Sequence, residues 1–113
     1  MTSSTVQHIV FDVCDPQRVA AFWSQALDRP IQDDWGDFVR LSPDNAGTRI
    51  AFAGVPEPRV GKNRLHIDLN TENRERTVAE LVTLGGSVID TRTAAQHTWT
   101  VMADPEGNEF CVG

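Results

Sequence analysis

The sequence predicts an α+β fold in which one βαβββ module is written twice. Three observations predict it. Setting His8 over His66 lays HIVFDVCDPQRVAAFWSQALDRPI over HIDLNTENRERTVAELVTLGGSVI, so that His8, Ile9, Phe11, Asp12, Trp23 and Ile31 meet His66, Ile67, Leu69, Asn70, Leu81 and Ile89. Each half opens on an alternating stretch and passes into apolar residues at helical spacing. Each half then closes with three short strand-like runs separated by turn signals.

In the first strand, Gln7, Ile9, Phe11 and Val13 share one face, and Val6, His8, Val10 and Asp12 the other. Side chains alternate across a strand, so one face is greasy and the other partly polar. The matching strand of the second half sets Leu65, Ile67 and Leu69 against His66, Asp68 and Asn70. Asp15 is a good N-cap for the first helix, and Pro16 suits its first position, where a missing N–H costs nothing. Val19, Phe22, Trp23, Ala26 and Leu27 form its apolar stripe. The second helix is expected over Glu72–Leu84, with Val78, Leu81 and Val82 inward and Gly85-Gly86 as its stop. Three strands follow each helix: Pro30–Asp34, Asp37–Leu41 and Thr48–Ala53, then Ser87–Thr91, Thr98–Ala103 and Asn108–Val112. His97 falls in the polar stretch Thr93–Thr98 and is expected in a loop. One domain spans residues 1–113, with module one at about 5–54, a Pro/Gly-bounded linker at about 55–62 and module two at about 63–113.

Composition narrows the function classes. The 113 residues are 40% hydrophobic and 23% charged, ordinary values for a globular domain. A net charge of −6 argues against nucleic acid and against an anionic membrane surface, both of which select clustered Lys and Arg. No apolar run approaches the roughly 18–20 residues of a membrane span. MTSSTVQHIV lacks a basic region followed by an apolar core, so no secretory signal is expected. Cys14 and Cys111 have no CxxC spacing and are too few for a disulfide framework. Two reduced thiols fit a cytoplasmic protein.

One helix per half covers one sheet face. Alternation puts His8, Val10, Asp12, Arg40, Arg49, Ala51, Ala53, His66, Asp68, Trp99, Val101, Glu109 and Cys111 on the other. Histidines, carboxylates and arginines around small residues describe a lined concavity. A dinucleotide-binding glycine motif, a P-loop and HExxH are all absent. Cys111 with His66 and Glu109 reads either as a nucleophile, base and orienter or as a passive thiol beside polar neighbours.

Two βαβββ modules, a His in the first strand of each and a DPxGN turn before the last strand resemble the vicinal oxygen chelate superfamily. PEPRVGKNRLHIDL with DPEGNEFCV resembles its small bacterial glyoxalase-like proteins over nearly the whole chain. The resemblance implies a curved, incomplete barrel with the helices outside and a cavity inside. Superfamily enzymes hold a divalent metal there, which polarises substrate oxygens. Carried over by position, His8 and His66 stand at the first-strand ligand sites, whereas the last-strand sites fall on Cys111 and on Ala51 or Ala53. Glu109 lies two residues before Cys111 on the same strand face, so His8, His66 and Glu109 is one metal set, and a His-His-Cys set with zinc preference is another.

Two readings result. In the first, a glyoxalase-like protein without the usual four-ligand metal centre binds a small anionic or oxygen-rich molecule. Its ligand-binding residues are then His8, Arg40, Arg49, His66, Trp99, Glu109 and Cys111. In the second, His8, His66 and Glu109 or Cys111 hold Zn, Fe, Ni or Mn for lyase, isomerase or dioxygenase chemistry. A homodimer is expected in either case, with Trp35 or Trp99 at the contact.

Overall fold

A computed structural model describes residues 3 and 5–113, so the signal-segment reading of Met1, Thr2 and Ser4 lies outside the described residues. The chain divides between Pro58 and Arg59 into two compact units. The first contains β1 (His8–Val13), α1 (Pro16–Leu27), β2 (Ile31–Asp34), β3 (Phe38–Leu41) and β4 (Arg49–Gly54). The second contains β5 (Ile67–Leu69), α2 (Arg74–Thr83), β6 (Ser87–Ala94), β7 (His97–Ala103) and β8 (Glu109–Val112). The order is βαβββ in each, and each unit carries an open, mixed four-stranded sheet.

In the first module the sheet order is β1-β4-β3-β2, with β1 parallel to β4 and the remaining pairs antiparallel. A parallel neighbour needs a crossover connection, and α1 lies within it. The Asp15 carboxylate accepts from the Arg18 N–H at 3.2 Å, and Pro16 follows at the first helical position. Val19, Ala20, Phe22 and Trp23 are buried, while Ala26 and Leu27 are half-buried. Phe11 meets the Trp23 ring edge-on at 5.6 Å and Phe52 at the same distance, which fixes α1 on the Phe11/Phe52/Val39 face. Edge-to-face aromatic contacts add to burial.

The second module repeats the topology as β5-β8-β7-β6, with β5 parallel to β8. Here α2 starts at Arg74, two residues later than Glu72, because Asn73 is the N-cap and accepts from the Arg76 N–H at 3.1 Å. It ends as expected. Gly85, at φ 112, lets its own N–H and that of Gly86 close back on Val82 and Leu81. Leu81 is buried, but Val82 is 46% exposed, because one residue further along a helix points about 100° away. Under the helix, Arg74 Nη1 donates to Thr100 Oγ1 at 2.8 Å.

Three boundaries differ from expectation. β5 is short because its ladder with β8 runs only from Ile67 to Leu69, which leaves Leu65 before it and 66% exposed. β6 continues to Ala94, and His97 begins β7 rather than lying in a loop. A two-residue turn joins these strands, with Ala95 at φ 49 and Gln96 at φ 69, the left-handed pair that suits a hairpin. Cross-strand hydroxyl pairs, Thr91 with Thr100 at 3.1 Å and Thr93 with Thr98 at 2.9 Å, carry the ladder outward.

The turn before β8 is tied to one buried carboxylate. Asp104 Oδ1 accepts from the backbone N–H groups of Glu106 and Asn108, each at 2.9 Å. The Asn108 side-chain amide donates to both carboxylate oxygens, at 3.1 and 2.9 Å. Gly107 sits at φ 87, and a Cβ there would also lie 3.4 Å from the Arg59 guanidinium. Replacing Asp104 by Ala leaves the buried Asn108 donors unpaired, and we expect a loss of about 1–3 kcal/mol in urea unfolding. Val88→Ala, at an exposed strand position, should stay within about 0.5 kcal/mol of the parent.

Candidate functional site

Each sheet has one face without a helix, and pairing register defines what stands on it. In module one, Val10, Ala51, Arg40 and Asp33 form one row across the strands. His8 pairs with Arg49 on one side of that row, and Asp12, Ala53 and Phe38 align on the other. Arg40 organises this surface. Its Nε donates to Asp33 Oδ2 at 2.6 Å, Nη1 lies 3.5 Å from His8 Nε2, and the guanidinium sits 5.2 Å from the Trp35 ring centroid. Trp35 stacks on Phe38, whose ring His8 meets edge-on at 5.7 Å. Arg49 Nε donates to Gln32 Oε1 at 2.7 Å. His8 and Arg40 are thus in contact, with Arg49 on the strand beside His8.

In module two, the equivalent row is Asp68, Cys111, Val101 and Asp90. Trp99 pairs with Arg92, and Glu109 with Ala103. His66 immediately precedes β5, and its Nδ1 lies 3.2 Å from Asp68 Oδ1. Two clefts open over this surface. One, of about 190 Å³, is lined by Lys62, Asn63, His66, Arg92, Trp99 and Glu109, with Cys111 in its wall. A wider one, of about 450 Å³, shares His66, Trp99 and Cys111 and adds Asp68 and His97. Four of the expected site residues, His66, Trp99, Glu109 and Cys111, therefore line one cleft.

Local contacts hold this surface in place. Asn63 Oδ1 accepts the Glu109 N–H at 3.0 Å, and Asn63 Nδ2 donates to Asn108 Oδ1 at 3.2 Å. The linker is thereby pinned to the start of β8. Arg92 Nε donates to Asp90 Oδ2 at 3.1 Å, whereas Lys62 has no ion pair among the described residues. Burial pushes the Cys111 thiol up from its ordinary range. The Asp68 charge and hydrogen bond push it further, Arg92 opposes, and Glu109 adds a smaller upward effect.

The residues fit a metal unevenly. Ala51 and Ala53 offer no donor atom, and His8 has a guanidinium at its Nε2, where a second cation would be repelled. Module two differs. His66, Asp68 and Cys111 each present one ligand atom, all within 4.8 Å of one another. Imidazole, carboxylate and thiolate together suit zinc. Glu109, the carboxylate expected in the metal set, is not in this group; Asp68 is.

Several lining residues were not anticipated as site residues. Asp68 stands two residues after His66, so alternation already put both on one face. Arg92 lies one residue past the expected end of β6, and His97 at the start of a strand read as loop. Lys62 and Asn63 lie where the linker meets module two, ahead of β5, and no periodicity exists there to orient a side chain.

A family model described as a glyoxalase-like domain matches residues 8–113. Among solved structures, a glyoxalase-related enzyme from Fulvimarina pelagi is similar at TM-score 0.74 and 13% identity, covering 98% of this chain and 87% of that one. A glyoxalase/bleomycin resistance protein/dioxygenase family enzyme from Burkholderia phytofirmans PsJN is similar at TM-score 0.74 and 19% identity, covering 96% and 97%. TnmS3, an antibiotic binding protein from Streptomyces sp. CB03234, is similar at TM-score 0.70 and 19% identity, covering 100% and 97%. No curated protein matches the chain. Among the described residues, no helix is long and apolar enough to cross a membrane.

The environment of Cys111 has a measurable consequence. In a Cys14→Ser background, the pH midpoint of Cys111 alkylation by iodoacetamide should lie above that of an unperturbed thiol, near 8.5. Asp68→Asn removes a negative charge and should lower that midpoint. A midpoint at or below the unperturbed value would contradict the geometry around the sulfur.

Proposed function

The chain belongs to the glyoxalase-like domain family, and from that premise we propose that it binds a small oxygen-rich anion on the uncovered face of its second module. The observation that carries this reading is the narrower cleft. Two cations, Lys62 and Arg92, and the Trp99 indole stand around it together with the polar side chains of Asn63 and His66, against one carboxylate, Glu109. Its volume of about 190 Å³ is below the roughly 300–1,000 Å³ of sites for drug-sized ligands, which favours a small molecule. An indole wall with cations beside it suits a planar carboxylate or phenolate. In module one the charges of Arg40 and Arg49 are already engaged, by Asp33 and Trp35 and by Gln32. In module two Arg92 is paired with Asp90, and Lys62 has no ion pair among the described residues.

The fold serves more than one role. It is shared by a protein described as antibiotic binding and by others described as enzymes, so the site has to decide. An alanine at the last-strand donor position of module one, Ala51 or Ala53, and a guanidinium against His8 favour binding without the usual four-ligand centre. Lyase, isomerase or dioxygenase chemistry through His8, His66 and Glu109 has less support, because His8 stands in a cationic setting.

Calorimetric titration with 4-hydroxybenzoate and its neutral amide tests the reading. The acid should bind and the amide should bind at least tenfold more weakly. Arg92→Ala and Lys62→Ala should each cost roughly 10–100-fold, the range of a hydrogen bond to a charged group. Equal affinity for acid and amide would overturn the assignment of an anion.

A further inference from the structure

We propose that His66, Asp68 and Cys111 form a zinc site contained entirely within the second module, with its open position facing the wider cleft. This goes beyond ligand binding and replaces the donor set expected from the sequence. Asp68 and Cys111 are direct partners across the parallel β5/β8 pair, and His66 is two residues before Asp68 on the same side. Two adjacent strands and the residue just before one of them therefore supply all three donors.

Their ligand atoms lie within 4.8 Å of one another. Around a tetrahedral zinc with bonds of about 2.0–2.3 Å, donor atoms stand roughly 3.3–3.8 Å apart. Closing that difference takes side-chain adjustment only, and two of the side chains are free to make it: His66 is 51% exposed and Asp68 73%. Cys111 is held more firmly, half-buried in β8.

The local charge also favours a cation. Two carboxylates, Asp68 and Glu109, act on the sulfur, with Arg92 alone acting against them. A bound zinc would supply the positive charge that favours the thiolate form of a ligand. The surroundings of His8 are the reverse, with Arg40 in contact and Arg49 on the adjacent strand.

The three residues line the wider cleft, which His97 lines too. A zinc with three protein donors and one open position is of the catalytic rather than the closed structural type. It would present an electrophilic point to an oxygen of a molecule in the cleft. No reaction step is needed for the site to be tested.

The experiment uses the full chain in a Cys14→Ser background, with metal alone. Zinc content after dialysis should approach one ion per chain, and cobalt(II) should give a near-ultraviolet sulfur-to-cobalt charge-transfer band. Cys111→Ser should remove that band, and His66→Ala and Asp68→Asn should each weaken zinc binding at least tenfold. His8→Ala should leave both readouts unchanged. Circular dichroism identifies any variant that fails to fold, and Cys111→Ala then replaces Cys111→Ser. Absence of stoichiometric zinc, persistence of the band without Cys111, or loss of binding in His8→Ala would each overturn the proposal. Because no organic ligand is present, such a failure would leave the anion-binding reading standing.

Discussion

A four-stranded sheet has two faces, and each module of this chain supplies a single helix. The pleat then sorts every strand residue with a period of two, and the rest of the structure follows from that sorting. In module one, Phe11, Phe52 and Val39 go to α1. In module two, Phe110, Met102 and Val112 are buried on the side of α2, where Arg74 reaches Thr100. The residues between them in sequence cannot enter those cores. They are left to form a surface of their own, and its chemistry is independent of the packing that creates it.

That independence explains how two copies of one module carry different side chains on their uncovered faces. Val10 pairs with Ala51 where Asp68 pairs with Cys111. Arg49 stands two residues before Ala51, and Glu109 two residues before Cys111. Module one thus sets its histidine against Arg40 and Phe38, and module two sets its own against Asp68 and near a thiol, with Lys62 and Arg92 lining the same cleft. The aromatic neighbours differ as well. Phe38 and Trp35 are consumed in an internal stack with Arg40, whereas Trp99 lines a cleft. Same topology, different neighbours: His8 touches a guanidinium, and His66 touches a carboxylate.

Much of this was legible in the sequence because it depends on local rules. The N-cap at Asp15, the glycine stop after α2 and the first strand of each module are set by a few neighbouring residues, although β5 begins just after His66. Sheet faces followed from alternation, including that of Trp99. What escaped depends on partners far along the chain or on turns with weak signatures. The β6/β7 hairpin closes through Ala95-Gln96, which lacks the Gly or Asn that usually marks left-handed turn residues, so Arg92 and His97 were not placed on strands. Leu65 is apolar and alternates correctly, yet the ladder with β8 begins beyond it. Asp68 was placed on the right face but not beside the sulfur, since only the register with Cys111 brings carboxylate and thiol together. Lys62 and Asn63 are positioned by the anchoring of the linker to β8, a tertiary contact no periodicity can announce.

We propose the helix-free face of module two as the working surface. Amide and indole N–H chemical shifts of the isotope-labelled chain, followed while 4-hydroxybenzoate is added, locate it. Perturbations are expected at Lys62, Asn63, Arg92, Glu109 and the Trp99 indole, with α2 and the residues around Arg40 unmoved. Shifts concentrated on α2, or on Arg40 and Trp35 with Trp99 silent, would contradict it.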